Sequence, residues 1–226
     1  MGNCVDDEGA SDRANMLAEI DREMRETAMW LGKDRLDPRV RAAIGRVPRE
    51  AFVPAAAAAA AYENTPLKIG HGQTISQPYI VAAMTDMLRP EPHHVVLEVG
   101  TGCGYQTAVL SLLVRRLFSI EVIPELAAGA AERLKRLGYD NIEIRHGDGH
   151  AGWPDQAPFD GLIVTAAAKR IPPPLIEQLR PGRRLVVPVG RRWATQDLTL
   201  VEKSDAGKVT ERRMLPVAFV PLTRKR

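Results

Sequence analysis

The stretch VVLEVGTGCGYQTAVL, residues 95–110, decides the fold. A strand-like apolar run, 95–99, leads into Gly100, Gly102 and Gly104, and a helical segment follows. Glycines at a strand-to-helix turn let a ligand approach the backbone, and the N–H groups of the helix then face that ligand. A tight turn without a ligand is the alternative explanation for a bare glycine cluster.

Similar apolar runs recur along the rest of the chain and alternate with helical segments. This alternation indicates a parallel sheet that is covered on both faces. The last two runs lack a helix-length spacer, which predicts an antiparallel hairpin at one edge. The fold class is therefore α/β, a doubly wound and mostly parallel sheet. The predicted strands are 95–99, 117–122, 142–146, 159–164, 184–189, 198–203 and 214–220.

The chain before this sheet is helical in pattern. Apolar residues at helical spacing predict one helix from about Asp12 to Trp30 and a second from Pro38 to Gly45. We expect residues 1–12 to form a disordered leader and residues 13–226 a single domain. Within that domain, 13–90 would be a helical N-terminal extension with an active-site loop, and 91–226 a cofactor-binding α/β core.

Composition excludes several classes of function. The net charge is only +3, from 31 basic and 28 acidic residues, and aromatic residues make up 5% of the chain. Scattered basic residues and few stacking platforms argue against nucleic-acid binding. No apolar run approaches the roughly 20 residues that span a bilayer. Two distant cysteines and the absence of a secretory signal favour a reducing, cytoplasmic location. We expect a monomer without a metal ion.

The glycine spacing indicates what kind of ligand binds. A dinucleotide fold requires G-x-G-x-x-G, but Tyr105 stands where the third glycine would be. The pattern does not continue as a phosphate-binding P-loop either. It favours a nucleoside with a cationic tail over a phosphate chain.

Three carboxylates agree with this interpretation. Glu98 precedes the glycine turn, Glu121 ends the second strand and Asp148 follows the third. They are predicted at carboxyl ends of parallel strands, where open α/β sheets bind ligands. Glu121 could accept ribose hydroxyls, and Asp148 an adenine amine. S-adenosylmethionine fits such a site, although each carboxylate alone could be a solvated turn residue.

Polar and turn-forming residues precede a predicted helix in GHGQTISQPYIVAAMTDML, residues 70–88. The helix is indicated by Ile80, Met84 and Leu88, which share one face. A capped helix start, with Ser76 as the cap, is one explanation for the polar run. A catalytic loop is the other.

Several motifs along the chain match one protein family. They include VPREAFVP (47–54), VLEVGTGCGYQTAVL (96–110), RHGDGHAGW (145–153), APFDGLIVTAAA (157–168) and VAFVPL (217–222). Through these motifs the chain resembles the protein-L-isoaspartate (D-aspartate) O-methyltransferase family over roughly residues 14–223. The segments GQTISQPY and FDGLIVTAAA are far more specific than a general methyltransferase pattern.

This resemblance implies a seven-stranded, Rossmann-like methyltransferase sheet with a variant order of the last strands. It implies that Ser76 is the active-site hydroxyl and that segment 76–79 covers the cofactor. The substrate residues would be Thr74, Thr165 and Ala166, the last two beside the substrate carboxylate. The cofactor residues would be Gln77, Pro78, Tyr79, Glu98, Gly100, Gly102, Glu121, Asp148, Gly149 and Thr223.

The implied reaction is methyl transfer from S-adenosylmethionine to isoaspartyl, and D-aspartyl, carboxylates of damaged proteins, which starts repair through a succinimide. An aspartyl methyltransferase with a dedicated peptide substrate and a non-catalytic cofactor-binding adaptor remain alternatives. Two departures from the family pattern stand out. Cys103 replaces a serine in the glycine turn, and Arg183 replaces the second glycine of a Gly-Gly pair.

Overall fold

The structure is a computed structural model that describes residues 5–191 and 195–224, with side chains from residue 10. Its α-helices are α1 (Val5–Glu26), α2 (Ala28–Leu31), α3 (Pro38–Arg46), α4 (Pro78–Leu88), α5 (Tyr105–Ser111), α6 (Pro124–Arg136) and α7 (Pro173–Glu177). Its strands are β1 (Leu67–Gly70), β2 (Gln73–Ile75), β3 (Val95–Val99), β4 (Arg116–Glu121), β5 (Ile142–His146), β6 (Phe159–Val164), β7 (Leu179–Val189), β8 (Gln196–Lys203) and β9 (Val209–Val217).

Seven strands form one sheet in the order β5-β4-β3-β6-β7-β8-β9. The pairs among β3, β4, β5, β6 and β7 are parallel, whereas β8 is antiparallel to both β7 and β9. The predicted α/β sheet and its antiparallel edge are confirmed. Apolar side chains on both faces are buried in two clusters, as expected for strands covered by helices on each side.

The turn before Arg183 has a glycine, Gly182, at the position that requires a left-handed conformation. Gly182 adopts a φ of +75°, which an L side chain rarely takes. Arg183 pairs in register with Lys203 in the antiparallel ladder. The departure from a Gly-Gly pair is therefore compatible with the turn, because one glycine carries the left-handed conformation.

The N-terminal extension packs on the sheet through α4, and α1 and α3 pack on α4 and on each other. Helix α1 begins at Val5, so the prediction that the whole of 1–12 is disordered is wrong for residues 5–12; residues 1–4 lie outside the described part. A helix held by buried Met16 and Ile20 extends outward at little cost, since nucleation is the unfavourable step. The division into a leader and one domain stays a prediction. Across the described residues, no helix is both long and apolar enough to span a membrane.

A small hairpin, β1 and β2, was not predicted. Its turn places Gly70, His71 and Gly72 at φ values of 90°, 51° and 70°. Two glycines around one residue allow this left-handed turn, and Gly-x-Gly between two short runs is the signal that the sequence offered. The hairpin matters because it carries the chain directly into residues 73–77, beside the functional site.

One buried carboxylate joins α4 to the segment that leads into α3. Asp86 accepts a hydrogen bond of 2.6 Å from the backbone N–H of Asp37 and lies 2.8 Å from the Lys33 ammonium. The Asp86 side chain is almost fully buried, whereas that of Lys33 is 41% exposed. We infer that the bond to the backbone N–H contributes more than the ion pair.

Replacing Asp86 by alanine is expected to lower the free energy of unfolding by about 1–3 kcal/mol, because the N–H of Asp37 loses its acceptor. The control Lys33→Ala should cost less than about 1 kcal/mol, as is usual for an exposed ion pair. Urea unfolding of both variants measures the difference. Equal losses would show that the ion pair carries the contact.

Candidate active site

A cleft opens at the carboxyl ends of β3, β4 and β6, with residues 73–76 on one side. It holds about 780 Å³ of empty space, counted to its open mouth. The predicted site residues that line it are Thr74, Ser76, Gly100, Gly102, Glu121, Gly149, Thr165, Ala166 and Thr223.

The floor of the cleft is a close contact between Gly100 and Thr165. The Thr165 hydroxyl donates a hydrogen bond of 2.6 Å to the Gly100 carbonyl, and the Thr165 N–H donates one of 2.9 Å to Val99. Gly100 has a φ of 101°, and a Cβ there would overlap the Thr165 hydroxyl oxygen. Only glycine fits this position. The Thr165 side chain, which was predicted to contact the substrate, uses its hydroxyl to hold the glycine turn.

Glu121 fixes the other side of the glycine turn. Its carboxylate accepts hydrogen bonds from the backbone N–H groups of Gly102, at 2.8 Å, and Ile123, at 3.0 Å. Glu121 is 5% exposed and lines the cleft. Each carboxylate oxygen can accept further bonds. A role in holding ribose hydroxyls stays a prediction that this geometry allows.

Asp148 and Gly149 follow β5 at the rim of the site. Gly149 lines the cleft, and a Cβ on it would overlap a methyl group of Val99. The Asp148 side chain lies outside the lining and accepts bonds of 2.9 Å from the backbone N–H and the ring Nδ1 of His150. Burial opposes its ionisation, but the hydrogen bonds from His150 outweigh burial and lower the pKa of Asp148.

Glu98 does not line the cleft, in contrast to its predicted place among the cofactor residues. It is fully buried beneath the glycine turn, where one oxygen accepts bonds of 2.6 Å from the hydroxyls of Thr107 and Ser119. Burial raises the pKa of Glu98 to about 7. Spacing placed the residue near the strand end correctly, but its side chain points into the core.

Ser76 lines the cleft, and it is not the cap of α4. The N-cap position belongs to Gln77, whose side chain makes no capping bond, and Pro78 occupies the first turn. The explanation of Ser76 as a helix cap is therefore wrong. Its carbonyl oxygen accepts a hydrogen bond of 2.7 Å from Arg49.

The side chains of Gln77, Pro78 and Tyr79 lie outside the cleft lining, so the structure does not bring them to the predicted cofactor position. Gln77 donates to the Glu23 carboxylate at 3.1 Å, and the Tyr79 hydroxyl lies 2.6 Å from that of Thr27. These contacts tie the loop to α1 and to Thr27, which follows α1. The side chains of Gln77 and Tyr79 therefore make polar contacts there and do not line the cleft.

The segment after β9 returns to the site. Ala167 donates to the Val220 carbonyl, and Leu222 donates to the Ala167 carbonyl, both at 2.8 Å. This short parallel bridge brings Thr223 to the cleft. Thr223, predicted among the cofactor residues, therefore lies in the cleft lining.

Sequence reasoning missed several residues that matter here. Tyr105, Gln106 and Ile123 line the cleft, and Cys103 does so as a buried thiol whose pKa is raised by burial. Tyr105 stands where a dinucleotide fold has its third glycine. That position was a signal in the sequence for a role at the site, because a bulky side chain there must face either the core or the ligand. Arg49, which holds the Ser76 carbonyl, lay in a quoted motif without an assigned role.

The sheet, its glycine turn and the cleft at its carboxyl edge define a Rossmann-like methyltransferase fold. The model of the family "Protein-L-isoaspartate(D-aspartate) O-methyltransferase (PCMT)" matches residues 25–226. The chain belongs to this family, as the resemblance predicted.

Curated relatives cover nearly the whole chain. Protein-L-isoaspartate O-methyltransferase 2 of Syntrophobacter fumaroxidans is 58% identical over 219 residues, 97% of this chain and 89% of the relative. Protein-L-isoaspartate O-methyltransferase 2 of a Polaromonas species is 57% identical over 211 residues, 93% of this chain and 100% of the relative.

Two solved structures share the fold. A protein-L-isoaspartate O-methyltransferase has a TM-score of 0.80 and 25% identity, covering 94% of this chain and 66% of its own. A Plasmodium falciparum protein assigned as a beta-aspartate methyltransferase, in complex with S-adenosyl-L-homocysteine, has a TM-score of 0.75 and 24% identity, covering 93% and 97%.

Gly100→Ala is expected to lower the free energy of unfolding by about 2–3 kcal/mol, because it forces a side chain into a left-handed conformation and against Thr165. The control Gly129→Ala lies on α6 with open space around its Cβ. It should instead stabilise by up to about 1 kcal/mol. Thermal unfolding compares the two, and similar shifts of the same sign would contradict the close-contact argument.

The raised pKa of Glu98 predicts a pH dependence of stability. The folded chain binds this proton more tightly than the unfolded chain, whose carboxyl has a pKa of about 4.5. Stability from the protonated form is complete below about pH 4.5 and is lost as pH rises to about 7. Relative to Glu98→Gln, wild type should lose on the order of 3 kcal/mol across that window. A pH-independent difference in denaturant unfolding would contradict this prediction.

Proposed function

We propose that this protein transfers the methyl group of S-adenosyl-L-methionine to the free carboxylate of L-isoaspartyl, and D-aspartyl, residues in damaged proteins. The observation that carries the proposal is a single cleft that joins the Ser76 loop to the glycine turn and to Glu121. Relatives that are 57–58% identical carry the name of this activity.

The residues at the cleft fit S-adenosylmethionine. Gly100 and Gly149 lie in the cleft lining and have no room for a side chain, because a Cβ would collide with Thr165 and Val99 respectively. Glu121 is the charged residue in the lining, and no lysine or arginine of the described chain lines the cleft. A carboxylate acceptor suits ribose hydroxyls and a cationic tail, and the lining lacks the cations that hold phosphates. When bound, the cofactor would supply a sulfonium methyl group for transfer to a substrate carboxylate oxygen, with the thioether S-adenosylhomocysteine as the leaving group.

The chain's own residues need not remove a proton. A substrate carboxyl with a pKa of about 4 is already ionised at neutral pH. The protein therefore lowers the barrier chiefly by holding the carboxylate in line, and such positioning can supply on the order of 7–11 kcal/mol.

Ser76 suits that task because a neutral hydroxyl donates one hydrogen bond without gripping the carboxylate tightly. The attacking oxygen loses negative charge as the reaction proceeds, so a cation beside it would stabilise the ground state more than the transition state. Thr74 and Ala166 lie at the same cleft as Ser76, where they would contact the substrate.

Methyl esterification converts the carboxylate into an ester, from which methanol can leave. The neighbouring backbone nitrogen can then attack the ester carbonyl and expel methanol to close a succinimide, whose hydrolysis partly restores normal aspartate. We propose that the protein starts this repair in the cytoplasm as a monomer, with damaged polypeptides as its partners and without nucleic acid. The even charge balance and the buried free thiol of Cys103 support this setting.

The test is methyl transfer from labelled S-adenosylmethionine to two otherwise identical peptides, one with isoaspartate and one with aspartate, measured as base-labile methanol. Wild type should label only the isoaspartyl peptide. Ser76→Ala should lower kcat/KM about tenfold or more, since a hydrogen bond to a charged group is lost.

Ser204→Ala is the matched control, because Ser204 lies in the exposed turn between β8 and β9 and should leave activity unchanged. Equal labelling of both peptides would overturn the substrate assignment. Cofactor binding without labelling of either peptide would favour a dedicated peptide substrate or an adaptor.

A further inference from the structure

A buried arginine connects the Ser76 loop to the glycine turn. Arg49 is 0% exposed. Its Nε donates to the Ala61 carbonyl at 2.8 Å, and its Nη2 donates to the Ser76 carbonyl at 2.7 Å. The guanidinium also lies over the Tyr105 ring, 4.6 Å from its centroid. One side chain thus contacts two segments that line the cleft.

Stability alone does not account for this arginine. Burial lowers its pKa, and its Nη1 has no hydrogen-bond partner. Within the described part of the chain, no carboxylate forms a salt bridge with it. A buried cation without a counter-charge is unfavourable, and an apolar side chain of similar length would fill the same space at lower cost. An apolar residue would, however, lose the two hydrogen bonds that Arg49 donates to the carbonyls of Ala61 and Ser76.

The contact with Ser76 sets the direction of a peptide group. Because Arg49 lies outside the cleft lining, the Ser76 carbonyl that it holds points away from the cleft. The peptide bond after Ser76 is trans, so its N–H on Gln77 points the opposite way from that carbonyl, and Gln77 itself lies outside the cleft lining. Ser76 is therefore the residue of this peptide group that reaches the cleft. A carbonyl turned toward the cleft would instead repel an incoming carboxylate.

We propose that Arg49 is a positioning residue for methyl transfer: it holds the Ser76 carbonyl away from the cleft and so orients the Ser76 hydroxyl as a donor to the substrate carboxylate. This inference rests on the proposed function. The loss of Arg49 should act mainly on the substrate side, because its hydrogen bond reaches the Ser76 carbonyl, whereas its contact beside the glycine turn is with the face of the Tyr105 ring.

A second arginine provides the comparison on the cofactor side. Arg133, on α6, donates to the Cys103 carbonyl at 2.9 Å and so holds the glycine turn from behind. Arg49 and Arg133 thus each donate a hydrogen bond to a backbone carbonyl, one on each side of the cleft. Replacing each by methionine keeps an unbranched apolar stem and removes the donors.

Arg49→Met is expected to lower kcat at saturating S-adenosylmethionine about tenfold or more, with the cofactor Kd within about threefold of wild type. Arg133→Met should raise the cofactor Kd and retain most of the kcat at saturation. Arg49→Lys, which can reach one carbonyl, should recover part of the lost kcat. Kinetics on the isoaspartyl peptide and calorimetric titration of S-adenosylhomocysteine measure these quantities.

A destabilised control separates positioning from general loss of structure. Ile44→Ala removes a buried side chain of α3 in the same extension. If this variant loses as much kcat as Arg49→Met at equal loss of melting temperature, Arg49 acts only through stability and the inference fails.

Amide hydrogen exchange tests the inference without any turnover. Arg49→Met should speed exchange in residues 73–77 and leave the glycine turn at 100–104 unchanged. Unchanged exchange in 73–77 would overturn the inference even if the enzyme is active. A wild type that labels no isoaspartyl peptide would instead overturn the proposed function.

Discussion

The hydrogen bond from the Thr165 hydroxyl to the Gly100 carbonyl is the constraint on which the site depends. It joins the ends of two neighbouring parallel strands and leaves no room for a side chain at Gly100. Glu121 then fixes the next loop of backbone through the Gly102 N–H. A rigid floor of backbone results, and the other parts of the cleft are arranged over it.

The opposite wall is built by the N-terminal extension and is held by polar contacts. Glu23 on α1 accepts hydrogen bonds from Asn64 and Gln77, and burial raises its pKa. Arg49 holds the Ser76 carbonyl from the interior. Residues outside the cleft lining thus decide where the Ser76 hydroxyl lies. In the proposed function, the floor would hold the nucleoside and this wall the polypeptide.

The sequence predicted positions along the chain better than directions of side chains. Periodicity located the strands of the large sheet because buried strands are continuous apolar runs, and the runs at 95–99, 142–146 and 159–164 match the observed bounds. Glu98 was placed at the correct strand end, but spacing could not show that its carboxyl group turns inward. Likewise, Gln77 follows Ser76 in sequence, yet its side chain contacts Glu23 on α1.

The bridge between Ala167 and the segment after β9 has a consequence for synthesis of the protein. Residues 220–223 leave the ribosome after the whole sheet has emerged, and they form part of the cleft wall. The cleft is therefore complete only after the sheet that precedes these residues in the chain has been synthesised. A ligand that contacts residues 220–223 meets its full site only once they pair with Ala167.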